Sequence, residues 1–571
     1  MRGRKKILNP EKLSQYKLFA FVILFTLATL GLIVRLFYLQ IIKNEYYSEK
    51  AQSIQLIKKN INATRGKIFD CNGNELVTST KSLMIAADPS VIYKMPKLKK
   101  AFLNYLSKIT QKPLNYYYKL TQDTTLEYVV LEKEINIKYK EKLAELQFFG
   151  IIVQENYERI YPYDYLAAHI LGFTNSDGIG ISGLELQYDS ILSGKPGFMI
   201  LKRDLRRNLH ASADLPNIPP VDGYNLHLTI DMNLQSIVEY ELQKGVENYE
   251  ADAGTVIVMD PQTGEILALA SNPQFNPNIP VERKSNWVRN RAINDEYEPG
   301  STFKMITAAA ALEEKLVKPT DVFSGYGGAY KVGEYTIRDV HPLGNVTFRQ
   351  AVEQSSNIVF AQVASKIPNK TFYKYIRDFG FGLQTEVGLP GEAKGRIPKP
   401  DKITPMLQKY IGFGYGIAVT PLQMLCAYAV AANGGNLVKP FIVKKYTDNN
   451  GNTIFENKPK VIRKVISKET ADLIKDLFVG IVENGTGKAV KIPNLKIAGK
   501  TGTSQQLVDG SYSKAHYNAS FVGFFPVENP KIAMIVVLDN PKTNYYGGAT
   551  AAPIFRNIAL RIINSSDVLL K

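Results

Sequence analysis

The longest apolar run of the sequence lies near its N-terminus. Leu18 to Val34 contains no charged residue, and residues 36–39 extend the run beyond Arg35. A helix rises about 1.5 Å per residue, so this run nearly crosses the hydrocarbon core of a bilayer. We therefore predict a transmembrane helix over residues 18–40. A cleaved signal peptide is the alternative, but its apolar core would be shorter and would end in small residues.

Basic residues flank the predicted helix unequally. Arg2, Arg4, Lys5, Lys6, Lys12 and Lys17 precede it, and Arg35, Lys43 and Lys50 lie at or just after its outer end. Because cytoplasmic flanks carry the excess of Lys and Arg, residues 1–17 are predicted to form a cytoplasmic tail. The rest of the chain would then lie outside the cytoplasm, tethered to the inner membrane by a single span.

Beyond the helix, the polar and apolar pattern changes twice. Residues 41–220 show short strand-like runs separated by Gly, Asp and Asn turns, with a charged helical stretch near 135–146 and a Pro-rich linker at 217–220. From residue 221, Asp231 is placed to cap a helix. Strand pairs follow at 254–260 with 265–270 and at 520–525 with 532–538, and a helix at 551–564. Strands near both ends with helices between them predict one mixed sheet.

Composition narrows the function classes. The chain is 45% hydrophobic and 22% charged, which is typical of globular domains rather than disorder. Its formal charge of +17 suits an anionic surface or polymer, although a lysine-rich solvated surface is the simpler interpretation. An Arg-rich tract or aromatic RNA-binding signature is missing, so no nucleic-acid partner is expected. Two cysteines and five scattered histidines indicate neither a disulfide framework nor a metal site.

A serine and a lysine three residues apart form the first candidate for chemistry. In residues 298–304, Pro and Gly precede Ser301, and Lys304 opens an Ala-rich run that favours a helix. Ser301 and Lys304 should share a face of the first helical turn, where exposed N–H groups favour an oxyanion. Apolar surroundings would let Lys304 act as a base. The same spacing occurs at Ser14 and Ser511, so the motif alone is weak.

A second candidate is the tripeptide Ser355-Ser356-Asn357. Ser355 could relay a proton and Asn357 could bind a substrate amide, although a plain helix N-terminus is the preferred interpretation of the tripeptide when it stands alone.

A third candidate is the segment Lys500-Thr501-Gly502-Thr503 in a strand-like run. Its lysine and threonine hydroxyls could bind a carboxylate, and Gly502 would let another backbone approach closely. A glycine-containing strand end is the structural alternative.

The three motifs gain weight because they occur in this order within one domain. SxxK, SxN and KTG together resemble the signature of penicillin-binding proteins and β-lactamases. From about residue 35 to the C-terminal helix, the chain resembles a class B penicillin-binding protein. Further segments carry the resemblance, with Cys71 where arginine is usual: Arg65–Gly73, Arg159–Pro162, Gly183–Glu185 and Leu192–Gly197.

The resemblance implies an α+β fold and a domain order. A non-catalytic, strand-rich pedestal (the dimerisation domain) would occupy residues 41–220, and a transpeptidase domain with a central, mainly antiparallel sheet flanked by helices would occupy 221–571.

The resemblance also implies that Ser301 attacks the D-Ala-D-Ala bond of a peptidoglycan stem peptide, forming an acyl-enzyme that an amine resolves. Lys304 would activate Ser301, Ser355 would pass the proton to the leaving group, and Lys500, Thr501 and Thr503 would hold the carboxylate. The backbone N–H groups of Ser301 and Thr503 would form the oxyanion hole, β-lactams would acylate Ser301, and no cofactor would be needed.

Within class B, the amino-acid sequences of several segments resemble the division type more than the side-wall elongation type. These segments are Asn290–Ile293, Tyr297–Ser301, Asp339–His341, Gly412–Gly416 and Glu483–Gly487. The division type implies partners among the membrane proteins of the division complex, including a peptidoglycan glycosyltransferase. A glycosyltransferase motif is missing from residues 41–220, which disfavours a bifunctional enzyme.

Three other functions use the same motifs. A β-lactam-sensing receptor would carry several spans and a cytoplasmic signalling part, a β-lactamase would not need residues 41–220, and a scaffold could retain inactive motifs.

Overall fold

The computed structural model describes residues 10–203, 209–211, 215–508 and 510–565. Residues 1–9 of the predicted cytoplasmic tail and 566–571 of the predicted transpeptidase domain lie outside this range. The chain divides into two compact units, one formed by residues 1–63 and 195–221, the other by 64–194 and 222–571. The predicted limits at 41–220 and 221–571 stay a prediction.

The α-helices in the described part of the chain are α1 Pro10–Phe37, α2 Asn44–Gln55, α3 Pro89–Ile92, α4 Pro96–Thr110, α5 Leu114–Leu120, α6 Lys140–Leu146, α7 Ala168–Leu171, α8 Gly183–Gln187, α9 Asp189–Leu192, α10 Met232–Asn248, α11 Arg291–Asn294, α12 Lys304–Glu313, α13 Phe348–Glu353, α14 Asn357–Lys366, α15 Asn369–Asp378, α16 Pro405–Ile411, α17 Pro421–Ala432, α18 Lys468–Glu483 and α19 Ala551–Asn564.

The strands of the same part are β1 Leu56–Ile61, β2 Ile68–Phe69, β3 Glu75–Ala87, β4 Val129–Asn136, β5 Ile151–Ile160, β6 Gly197–Arg203, β7 Leu209–Ala211, β8 Asn217–Ile218, β9 Asn225–Leu228, β10 Ala253–Met259, β11 Ile266–Asn272, β12 Val322–Ser324, β13 Ala329–Val332, β14 Tyr335–Arg338, β15 Asn345–Thr347, β16 Asn436–Val438, β17 Val443–Thr447, β18 Thr453–Glu456, β19 Val461–Lys464, β20 Ala498–Val508, β21 Ser511–Phe525 and β22 Ile532–Asp539.

The smaller unit contains the apolar helix. In the described part of the chain, only the helical stretch Ser14–Ile42 is long and apolar enough to cross a membrane. It consists of α1 and a π-helical turn at Tyr38–Ile42, and its apolar side chains are exposed, as Leu24 is at 68%. The same unit holds a sheet in which β1 and β7 pair with opposite sides of β6.

The larger unit is built on a five-stranded sheet in the order β11-β10-β22-β21-β20. Both predicted strand pairs are present in it, and every pairing is antiparallel. The mainly antiparallel sheet that the resemblance implies is confirmed, and the mixed sheet inferred from the strand pattern alone is wrong. The pairs β10–β11, β20–β21 and β21–β22 each consist of consecutive strands joined by a hairpin. Only an antiparallel pair can be joined by a short turn.

Side chains alternate between the two faces of this sheet. Val256 and Val258 pack with α10 and α19, whereas Ile257 and Met259 face the larger core that contains α12 and α17. Asp231 caps α10 as predicted, because its carboxylate accepts hydrogen bonds from the backbone N–H groups at the helix start. The sheet is therefore buried on both faces, and its two edge strands are β11 and β20.

A second, seven-stranded sheet of the larger unit has the order β18-β17-β9-β2-β3-β4, with β5 also paired to β3. The helix expected near 135–146 begins only at the 3₁₀ turn Ile137–Tyr139, because Ile135 is buried as part of β4.

Beside the seven-stranded sheet, three of the segments that carry the family resemblance meet in a buried ion network. Both oxygens of the Glu185 carboxylate are paired, one with Arg65 at 2.6 Å and the other with Arg159 at 2.7 Å, and Glu185 is fully buried. Arg65 also donates to Asp189 at 2.7 Å. Removing one partner of such a network leaves an uncompensated buried charge, so the three segments depend on one another in this fold.

Candidate active site

Ser301 lies on a 3₁₀ turn, Gly300–Phe303, that leads directly into α12. The prediction placed Ser301 in the first α-helical turn; the tighter turn forms because the backbone of Gly300, with φ +54°, reverses just before it. A side chain at Gly300 would lie 2.9 Å from the carbonyl oxygen of Thr503, so only glycine fits. Gly300 N–H also donates to the Gly414 carbonyl at 3.1 Å. This turn bears the predicted nucleophile, and we call it the nucleophile turn. It is held between β20 and the loop at 412–416.

Lys304 is fully buried, and its amine makes three hydrogen bonds. Nζ donates to the Ser355 carbonyl at 2.7 Å, to Ser355 Oγ at 3.1 Å and to Asn357 Oδ1 at 2.7 Å. Two sequence motifs predicted to act together are thus joined by one amine.

Ser355 connects this amine to Ser301. Its backbone adopts φ +58°, a left-handed conformation that non-glycine residues seldom adopt and that occurs at functional sites. In this conformation, Ser355 Oγ donates to Ser301 Oγ at 3.2 Å. No hydrogen bond joins Lys304 directly to Ser301 among the described residues, so Ser355 bridges the two.

Ser356, Asn357 and Asp339 hold the second motif at the start of α14. Ser356 caps the helix, accepting from Val359 N–H and donating to Asp339 Oδ2 at 2.6 Å, and Asp339 also accepts from Ile358 N–H. Asn357 Nδ2 donates to the Arg338 carbonyl at 3.0 Å, which orients Oδ1 towards Lys304. The helix-start interpretation is confirmed, and the cap also positions the polar groups.

The third motif lies on β20, the edge strand. Lys500 is 1% exposed, and its Nζ donates to the Thr501 carbonyl at 3.1 Å and to Thr501 Oγ1 at 3.3 Å. Thr503 Oγ1 accepts from Gly547 N–H at 3.1 Å. A side chain at Gly502 would lie 2.3 Å from Ser520 Oγ and 3.2 Å from the Pro299 carbonyl. Glycine therefore lets β20 pack against the nucleophile turn, which brings all eight predicted site residues into one region.

Burial sets the charge of both lysines. Desolvation, and then the charge of Lys500, hold the pKa of Lys304 well below its usual value, and Asp339 opposes them. Desolvation lowers the pKa of Lys500 to about 7. The Lys304 amine therefore gives up its proton more readily than an ordinary lysine, and Lys500 is close to its titration point near pH 7.

Two models of known protein families match the sequence. The family model of the penicillin binding protein transpeptidase domain matches residues 254–560, and that of the penicillin-binding protein dimerisation domain matches 60–228. The chain belongs to the class B penicillin-binding proteins. It is therefore a member of a family of peptidoglycan D,D-transpeptidases.

Individual members of this family align along nearly the whole chain. Stage V sporulation protein D of Bacillus subtilis is 33% identical over 94% of this chain and 84% of its own length. Peptidoglycan D,D-transpeptidase FtsI of Escherichia coli is 29% identical over 95% of this chain and 90% of its own length. Penicillin binding protein 3 of Mycobacterium tuberculosis, solved in complex with aztreonam, superposes with a TM-score of 0.71 at 27% identity, covering 89% of this chain and 98% of that one.

The structure adds residues to which sequence reasoning gave no role. Asp339 fixes α14, Thr486 shares a 3.1 Å hydroxyl contact with Thr501, and the backbone of Gly547 approaches Thr503. Asp339 and Thr486 lie in segments used only for the family resemblance. The glycine pair at 547–548 was the one local signal for a close backbone approach.

Proposed function

We propose that Ser301 is the nucleophile of a membrane-anchored D,D-transpeptidase that cross-links peptidoglycan stem peptides. The observation that carries the proposal is the hydrogen-bonded chain from Ser301 through Ser355 to the buried amine of Lys304. The hydroxyl hydrogens can rotate, so the same chain can conduct a proton from Ser301 towards a neutral Lys304.

In the proposed reaction, Ser301 Oγ attacks the carbonyl carbon of the D-Ala-D-Ala bond while its proton passes through Ser355 to Lys304. The tetrahedral oxyanion is held by the backbone N–H groups of Ser301 and Thr503. Its collapse releases D-alanine, whose nitrogen takes the proton back through Ser355. An amine from a neighbouring peptidoglycan strand then attacks the acyl-enzyme and restores Ser301. A β-lactam would enter the same first step and acylate Ser301.

The remaining groups would bind the donor peptide. Lys500, Thr501 and Thr503 supply one charge and two hydroxyls for its terminal carboxylate, and Asn357 supplies a side-chain amide. Because β20 is an edge strand, its outward backbone groups can pair with an extended peptide. Gly502 belongs to this subsite by letting β20 lie close to the nucleophile turn.

Acylation should depend on pH in opposite directions at low and at high pH. Below the pKa of Lys304 the amine is protonated and cannot accept the Ser301 proton. Above about pH 7, Lys500 loses the charge that attracts the carboxylate. We expect a bell-shaped profile for the second-order rate constant of acylation by a fluorescent penicillin, which reports the free enzyme. Lys500→Arg keeps its charge and should move only the alkaline limb upwards; an unshifted limb would contradict this assignment.

We further propose that residues 18–40 anchor the chain in the inner membrane, with a cytoplasmic N-terminus and the catalytic groups outside. The exposed apolar surface of α1 and the basic residues before it support this topology. Residues 41–220 would serve as the pedestal and 221–571 as the transpeptidase domain.

The proposed cellular role is septum formation, with division-complex membrane proteins, including a glycosyltransferase, as partners. This role rests on the amino-acid sequences of the segments around the site, and side-wall elongation is the competing role. A tagged copy should concentrate at midcell, and depletion should give filaments. A side-wall signal with rounded cells would instead favour elongation.

A further inference from the structure

Glu298, three residues before Ser301, forms hydrogen bonds to three segments beside the nucleophile turn: β20, the loop at 412–416 and β21. Its carbonyl oxygen accepts a 2.6 Å hydrogen bond from Ser504 Oγ on β20. Its carboxylate oxygen Oε1 accepts from Gly416 N–H at 2.8 Å and from the Tyr512 hydroxyl at 3.1 Å. The loop that contains Gly416 is the one whose Gly414 carbonyl holds Gly300.

Tyr512 lies at the tip of the β20–β21 hairpin, opposite Leu507 in the ladder. Its ring packs edge-on against Tyr415, with centroids 5.7 Å apart, so the tip also contacts the same loop directly. The hairpin bears Lys500, Thr501 and Thr503 along β20. A contact that fixes its tip therefore also limits how far these groups can move from Ser301.

Both donors share one oxygen of Glu298. The other oxygen, Oε2, is buried and accepts no hydrogen bond from the residues that the structure describes. The contact thus needs a single acceptor atom at this position, which the side-chain carbonyl of glutamine also supplies.

We propose that Glu298 is a positioning residue: through Oε1 it fastens the hairpin tip at Tyr512 and the loop at Gly416 to the nucleophile turn, setting the distance between Ser301 and the carboxylate-binding groups. The inference rests on the proposed role of Ser301. Misplacing reacting groups by about 1 Å can cost two orders of magnitude in rate, so a fastening of this kind should be visible in the acylation step.

The test measures acylation by a fluorescent penicillin, separating the dissociation constant of the initial complex from the acylation rate constant. Tyr512→Phe keeps the ring and removes only the hydroxyl, and because Tyr512 is 45% exposed the variant should fold normally. We expect Tyr512→Phe and Glu298→Ala each to lower the acylation rate constant about tenfold. The double variant should be no slower than Glu298→Ala, because both changes remove one shared contact. Glu298→Gln should recover most of the rate.

Tyr240→Phe on the remote helix α10 is the matched control and should acylate like wild type. A merely structural contact would lower the melting temperature without changing the acylation rate constant of the folded protein. The proposal is overturned if Tyr512→Phe acylates at the wild-type rate, or if the two single effects multiply in the double variant. If the wild-type protein is not acylated, the proposed function fails first, so the two failures are distinguishable.

Discussion

Ser301→Ala should abolish covalent labelling by a fluorescent penicillin while leaving the fold intact. The hydroxyl is the atom that would form the ester, so labelling should fall at least about a thousandfold. The cost to folding should be about 1 kcal/mol or less, because the change removes one hydrogen bond, from Ser355. In-gel fluorescence and circular dichroism together would check both expectations.

Ser14→Ala and Ser511→Ala are matched controls for this change. Each alters a serine with the same lysine spacing, but Ser14 lies in α1 and Ser511 in β21. Both variants should label like wild type. Stoichiometric labelling of Ser301→Ala, or loss of labelling in a control, would refute the assignment of the nucleophile.

Lys304→Ala should be nearly as damaging as loss of the nucleophile, because serine and base act as a unit. A positioned general base contributes about 10²–10⁴-fold, so the acylation rate should fall by that factor. The variant also leaves the Ser355 carbonyl and Asn357 Oδ1 without their donor. Lys304→Met fills the volume of the buried aliphatic part of the lysine side chain. It therefore separates loss of the amine from loss of packing.

Stopped-flow acylation rates and melting temperatures of both Lys304 variants would provide the check. The exposed Lys244 of α10 offers the control, and Lys244→Ala should acylate normally. If Lys304→Met retains more than about a tenth of the wild-type rate, the amine is not the base.

Local patterns were sufficient to predict much of the fold. The apolar helix, the capped helix α10 and both hairpins of the five-stranded sheet depend on neighbours in the sequence, so periodicity and turn residues reveal them. The mainly antiparallel sheet that the resemblance implies is confirmed. The strand pattern alone did not reveal the pairing of β10 with β22, which joins residues nearly 300 positions apart along the chain. No local pattern encodes such a pairing.

The candidate site shows the same division. The motifs pointed to Ser301, Lys304 and Lys500, and their spacing placed Ser301 and Lys304 on one face of the first helical turn. The bridge through Ser355 depends on the left-handed backbone conformation of this serine. A serine in the sequence does not by itself predict that conformation. Likewise, Glu298 and Tyr512 are 214 positions apart, and their contact arises only from the packing of the hairpin.

The most direct measurement of the central claim is the mass of the acylated peptide. Wild-type protein treated with a penicillin, digested and analysed by tandem mass spectrometry should carry one adduct, on the oxygen of Ser301. An adduct on any other residue, or no adduct on protein shown to be folded, would contradict the account.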